Sequence, residues 1–189
     1  MIPSNFKDLV VIIYSDFSRI NPHIPFRYDL KMVLRLIKWG RKQWSFWFRC
    51  AQYKSWWQPY AIKKYQKVSN RLLIDIPLKT SIGYGLYIGH PRCIVINGGT
   101  TIGDNVNLSQ FLSIGTNHDT PAKIGNCVYI GPMCCIVENV MIGNNATIGA
   151  GSVVVKDIDD NATAAGTPAC ILNYDNPARF IKNKFIRQD

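Results

Sequence analysis

From Ile76 onward an aliphatic residue returns every six positions along this chain. The heads of these units are Ile76, Ile82 and Ile88, then Ile96, Ile102, Leu108 and Ile114, then Ile124, Ile130, Ile136, Ile142, Ile148 and Val154. Glycine follows most heads, and a modest residue usually sits four positions after the head, as at Val106, Val128, Cys134, Val140, Ala146 and Ser152. A period of six fits neither the 3.6 of a helix nor a simple alternating strand. It suits one short strand and one turn per unit, with the head and fifth residues pointing into a narrow interior and glycine or asparagine taking the turn. A single unit buries too little to stand alone, so the units must stack into a solenoid.

Only two intervals depart from six. Ile88 to Ile96 spans eight residues, with the surplus in GHPRC, and Ile114 to Ile124 spans ten, with the surplus in GTNHDTPAK. The chain has three histidines, and two of them, His90 and His118, fall in these breaks. Insertions in a solenoid become loops at its corners, where they carry chemistry without disturbing the core. Heads three units apart share a face, so Ile88, Leu108, Ile130 and Ile148 define one face and Ile96, Ile114, Ile136 and Val154 the next. His90 and His118 therefore leave different corners of one chain and meet only if neighbouring copies pack corner to face, as in a closed ring.

Charge divides the chain near Asp75. Residues 1–74 carry fourteen Lys or Arg against three Asp, and residues 75–189 carry eight against nine acidic residues. The basicity is confined to the first part, which argues against a nucleic-acid function for the whole molecule. We therefore expect a basic, Trp-rich helical region over 1–74, a solenoid over 75–172 and a tail over 173–189. Residues 28–70 interleave apolar and basic positions near helical spacing, Pro59 separates two helical segments, and all five tryptophans lie between Trp39 and Trp57. The apolar run Leu9–Tyr14 is short and lacks a basic leader and a cleavage site. Six cysteines form no CxxC pair, so free thiols in a reducing cytoplasm are expected.

The units resemble the hexapeptide repeat of the left-handed parallel β-helix acyltransferases, in which three units form one triangular coil. Within them, LLIDIPLKTSIGYGLYIGHPRCIVING is similar to the serine acetyltransferase-like branch, which carries an Asp and a His fifteen residues apart. Asp75 precedes His90 by fifteen residues. The resemblance implies His90 as general base and Asp75 as its orienting partner. A neutral imidazole can take the proton of a weakly nucleophilic hydroxyl as it attacks a thioester, and a carboxylate on the far ring nitrogen fixes the tautomer. GAGSVVVKDIDDNATAAGTPACIL is similar to the closing coil of these enzymes, which implies acetyl-CoA as cosubstrate, contacted by Pro132, Ala150, Lys156, Gly166 and Thr167. Where relatives often have arginine after Gly-x-Pro-x, this chain has Cys170.

Several positions depart from serine-specific relatives. The carboxylate that precedes their catalytic histidine is Gly89 here, and the one in an Arg-Asp-Pro segment aligns with Asn21. An ammonium loses its pairing where those partners are neutral. Their DRHPKI-like loop appears as NHDTPAKI, with His118 displaced and the arginine absent. The chain ends in IRQD, without the terminal isoleucine through which many relatives dock to cysteine synthase. These departures favour a sugar or polysaccharide-precursor hydroxyl as acceptor, with L-serine as the alternative and a non-catalytic scaffold as a further one. FWFRCAQY resembles the YR-x-AH-like helix of the relatives, whose helical region caps the β-helix and packs on neighbouring subunits; a trimer or pair of trimers follows. A basic, Trp-rich segment over 28–58 would also suit an anionic membrane surface, so a cytoplasmic protein, at most touching the inner membrane surface, is expected. A zinc hydrase on this fold needs three histidines across adjacent coils, so no metal is expected.

Overall fold

The computed structural model describes residues 2–117 and 120–187. A parallel β-solenoid of about 4 turns carries four helices on its N-terminal end. Three strand faces run along it. The first holds β1 (Ile74–Asp75), β4 (Ile94–Ile96), β7 (Ser113–Ile114), β10 (Cys135–Ile136) and β13 (Val153–Val154). The second holds β2 (Ser81–Ile82), β5 (Thr101–Ile102), β8 (Lys123–Ile124) and β11 (Met141–Ile142). The third holds β3 (Tyr87–Ile88), β6 (Asn107–Leu108), β9 (Tyr129–Ile130), β12 (Thr147–Ile148), β14 (Thr163–Gly166) and the antiparallel β15 (Ala169–Asn173).

The register is the one the period of six demands. Ile88 pairs with Leu108, Leu108 with Ile130 and Ile130 with Ile148, while Ile96 pairs with Ile114, Ile114 with Ile136 and Ile136 with Val154. Heads thus stack on heads, and the fifth residues fill the space between faces; Val106, Val128, Cys134, Ala146 and Ser152 are all fully buried. At the corner between the second and third faces the left-handed backbone position is taken in turn by Gly85, Asn105, Cys127, Asn145 and Asn161, mostly the residue types that tolerate it. At the corner between the third and first faces it is taken by Cys93, Phe111, Met133 and Gly151. Three of those four are neither glycine nor asparagine.

The helices are α1 (Phe6–Ser18), α2 (Leu30–Gly40), α3 (Trp44–Gln52) and α4 (Gln58–Leu72). Asn5 caps α1 through the Asp8 N–H at 2.9 Å, and Asp29 caps α2 through the Met32 N–H at 2.7 Å. Pro59 sits in the first turn of α4, where its missing N–H costs nothing. The apolar run noted at Leu9–Tyr14 is the core of α1, a helix the sequence reading did not place. Buried Arg49 on α3 ties this region to the solenoid. Its Nε and Nη2 donate to Asp16 at 3.1 and 3.2 Å, and its Nη1 and Nη2 donate to the carbonyls of Ile82 and Gly83 at 2.8 and 2.6 Å. Asp16 in turn accepts from the Leu86 N–H at 2.8 Å. Burial pushes the Asp16 carboxyl up, and Arg49 opposes that push. Burial likewise raises the Cys50 thiol to about 12, which leaves it inert.

The first strand starts at Ile74, one residue before the boundary that charge suggested. Residues 174–187 pack on the solenoid: they run back along the corner between the second and third faces toward α1. The Ala178 N–H donates to the Asn145 carbonyl, Asn107 Nδ2 donates to the Phe180 carbonyl, and Arg19 Nε donates to the Lys182 carbonyl.

Candidate active site

His90 stands at the corner between the third and first faces, and the fold holds its loop from two sides. Pro91 cannot donate a backbone hydrogen bond and fixes its own φ. Around it, the Arg92 N–H donates to the His90 carbonyl at 2.8 Å, closing a three-residue turn. The loop is then pinned to the end of α4. The Cys93 N–H donates to the Leu72 carbonyl at 3.0 Å and the Ile94 N–H to the Leu73 carbonyl at 3.2 Å. The helical region therefore sets the position of the histidine, although it contributes no residue to the repeat.

Above His90 the same corner repeats coil by coil. The Phe111 N–H donates to the Arg92 carbonyl, the Met133 N–H to the Gln110 carbonyl and the Gly151 N–H to the Pro132 carbonyl, at 3.1, 3.1 and 2.8 Å. Thr167 Oγ1 donates to the Gly151 carbonyl at 3.3 Å. Arg92, Gln110, Pro132, Ala150 and Gly166–Thr167 consequently form one column along the solenoid, with His90 in the turn at its foot. Each step is one inter-strand spacing, so Thr167 lies about 19 Å from the level of Arg92. Ala150, Gly166 and Thr167 are exposed, and Pro132 is half-buried. Coils approach closely beneath them: a Cβ on Gly131 would sit 2.7 Å from the backbone nitrogen of Ala150. Behind the column, buried Cys134 donates through its sulfur to the Gly149 carbonyl at 3.1 Å, and burial raises its thiol.

Four of the five positions matched to CoA contacts thus fall on one line that ends at Arg92, two residues beyond His90. The fifth does not. Lys156 follows β13 and lies exposed at the corner between the first and second faces, one face away from the column. Asp75 is exposed on β1, directly paired with Val95. Among the described residues no hydrogen bond or ion pair joins its carboxylate to His90. Gly89 is exposed, and a Cβ there would meet only the Tyr87 ring, at 3.4 Å and beyond. Asn21 lies after α1 and turns its amide to the Phe17 carbonyl at 3.3 Å. His118 lies outside the described residues. Its loop is anchored next to it, where Thr116 Oγ1 donates to Glu138 at 2.9 Å and the Asn117 N–H donates to the same carboxylate.

Two residues on the column escaped the sequence reading. Arg92 is exposed two positions after His90, and Gln110 stacks between Arg92 and Pro132. The run GHPRC contained the first signal. The second had none, because position 110 lies in an uninterrupted unit and comes above Arg92 only through stacking. The residues held in the left-handed conformation at this corner supply another mark. Phe111 and Met133 are 54% and 67% exposed, so burial does not explain them, and such backbone costs cluster where function requires them.

Residues 121–156 match the family model of the bacterial transferase hexapeptide, six repeats. That stretch is similar to the hexapeptide repeats of bacterial transferases. Among the chain's relatives is the mitochondrial serine acetyltransferase 3 of Arabidopsis thaliana, 39% identical over 116 residues, which are 59% of this chain and 30% of that protein. The serine acetyltransferase of Salmonella typhimurium is 36% identical over 116 residues, 59% of this chain and 42% of that protein. The chain therefore matches less than half the length of these curated relatives. Among solved structures, soybean serine acetyltransferase complexed with serine superposes with a TM-score of 0.68 at 25% identity, covering 87% of this chain and 69% of that one. Among the described residues, no group of three or more His, Cys, Asp or Glu is placed to hold a metal ion.

Proposed function

We propose that this chain is an acetyl-CoA-dependent O-acetyltransferase whose donor lies along the corner column with its thioester at His90. The observation that carries this reading is the alignment of Pro132, Ala150, Gly166 and Thr167 above a corner histidine. Small side chains and exposed backbone groups let a slim pantetheine arm lie close, and a length of about 19 Å suits an extended arm. His90 takes the acceptor's proton as the hydroxyl oxygen attacks the thioester carbonyl. The tetrahedral intermediate then expels CoA thiolate, which receives that proton from the imidazolium, leaving acetyl ester and free thiol. Asp75 orients the imidazole once substrates are bound, since catalytic hydrogen bonds commonly tighten only in the loaded site.

The site is completed by a ring of three copies. The first face shows outward Val95 at 49% exposure, and Phe111 and Met133 border it; in such a ring this apolar edge is covered. A heterologous ring brings the corner bearing Lys156 and the Thr116–Asn117 segment of one copy to the His90 corner of the next. Lys156 then reaches the nucleotide phosphates, a contact its own protomer denies it.

L-serine is the acceptor that the named relatives favour, and it displaces the sugar hydroxyl expected from the departures at Gly89 and Asn21. The glycan reading keeps one support, the absence of a side-chain carboxylate at both positions. The deciding experiment is thiol release from acetyl-CoA by the full chain with L-serine and with neutral sugars. Turnover of serine and loss of about 10²- to 10⁴-fold in kcat on His90→Ala is the expected outcome. Thiol release with sugars alone transfers the reading to glycans, and no acetyl-CoA turnover with an unchanged His90→Ala protein overturns both.

A further inference from the structure

The helical region carries a surface that acetyl transfer does not use. On α2, Met32 and Leu36 are buried, yet Leu30, Leu34 and Ile37 are 74%, 57% and 46% exposed. At 100° per residue these three fall within about 60° of helix arc, a continuous apolar stripe. Lys31, Arg35 and Lys38 run along its flank, and Arg41 extends it. Ile37 and Arg41 also line an apolar cavity of about 370 Å³ with Leu9, Ile13, Phe46 and Tyr60. Tyr60 is 56% exposed at its rim, with the Lys64 ammonium 5.2 Å from its ring centroid.

Charge says what covers this face. Residues 30–72 contain eleven Lys or Arg and no acidic residue. Arg49 is buried with Asp16, so ten cations remain without a carboxylate from their own segment. A second copy pairing through the same face would set cations against cations. A nucleic acid would answer the charge and leave the exposed Leu and Ile stripe and the adjoining apolar cavity unexplained. A bilayer surface rich in acidic phospholipid answers both: phosphates for the cations and an acyl boundary for the stripe. No helix among the described residues is long and apolar enough to cross a membrane, so the contact is in the plane of the interface.

We propose that α2 and the cavity behind it form a docking face for anionic phospholipid, with Leu30, Leu34 and Ile37 entering the headgroup boundary and Lys31, Arg35, Lys38, Arg41 and Lys64 contacting lipid phosphates. The test is co-sedimentation of the full chain with vesicles of phosphatidylcholine alone or mixed three to one with phosphatidylglycerol, at low and high salt. Binding to the mixed vesicles and not to the neutral ones is expected, weakened by salt and reduced about tenfold or more by Leu34→Glu with Ile37→Glu. Thermal melting and thiol release of that variant should stay unchanged, which separates docking from folding and from the acetyltransferase reading. Absence of binding to mixed vesicles overturns the proposal. Equal binding by wild type and the double variant also overturns it, because the face is then a general polyanion binder. So does a loss of self-association in the double variant, which would make the stripe an interface between copies.

Discussion

At position 89 the backbone is not in the left-handed region, and a Cβ would make only ordinary contact with Tyr87. Glycine is therefore not required there by the fold, and a carboxylate can be restored beside His90 without strain. If serine's ammonium is held at this corner, Gly89→Asp should lower the KM for L-serine by about fivefold to tenfold, the worth of one charge-assisted pair near solvent, with KM for acetyl-CoA unchanged. Steady-state kinetics with both substrates varied would check it. His90 itself was readable from sequence because it breaks a strict count. Phe111 and Met133 were not, since their units keep the count and only the backbone shows that each occupies a conformation suited to glycine or asparagine.

Among the elements, α3 joins the two parts of the chain through one buried side chain. Arg49 satisfies the carbonyls of Ile82 and Gly83, which belong to the first coil, and pairs with Asp16 from α1. Arg49→Met leaves a buried carboxylate and two carbonyls without their donor, and should destabilise the protein by about 3–5 kcal/mol. Denaturant unfolding measures this, and Asp16→Leu in the Arg49→Met background should recover part of the loss. Because the loop of His90 hangs from the end of α4 through Leu72 and Leu73, the same change should raise the KM values before the solenoid itself unfolds. The helical periodicity of residues 28–70 pointed to two segments divided at Pro59; the structure splits the first of them into α2 and α3. The short run that forms α1 was too brief to read, because its apolar face is recognised only against α2, α3 and the first coil.

For the whole molecule, the last described residues act as a strap over the solenoid. Asn105 exchanges two hydrogen bonds with the backbone of Phe185, at 2.9 and 2.7 Å, and Phe185 packs on Tyr14 and Tyr84. Phe180 packs on Tyr129, and Asn183 Nδ2 donates to the Arg19 carbonyl at 3.1 Å. The strap thereby connects the closing coil to α1. Deleting residues after Tyr174 should lower Tm by several degrees, since each 1 kcal/mol shifts a chain of this size by about 2–4 °C, and should leave thiol release at 25 °C nearly intact because the column lies on another corner. Scanning calorimetry and the thiol assay together check this.

The sequence alone determined the solenoid, its face assignment and the histidine corner. A period of six admits one register, since slipping by a single residue would turn every aliphatic head outward. It also placed Asp75 fifteen residues before His90, and the family resemblance marked four of the column's residues. The separation of Lys156 from that column, the strap, the anchoring of the His90 loop by α4 and the exposed second face of α2 were decided by tertiary structure. Those features depend on which helix and tail surfaces meet which corner, and such contacts join residues 21 to 164 positions apart that no local spacing connects.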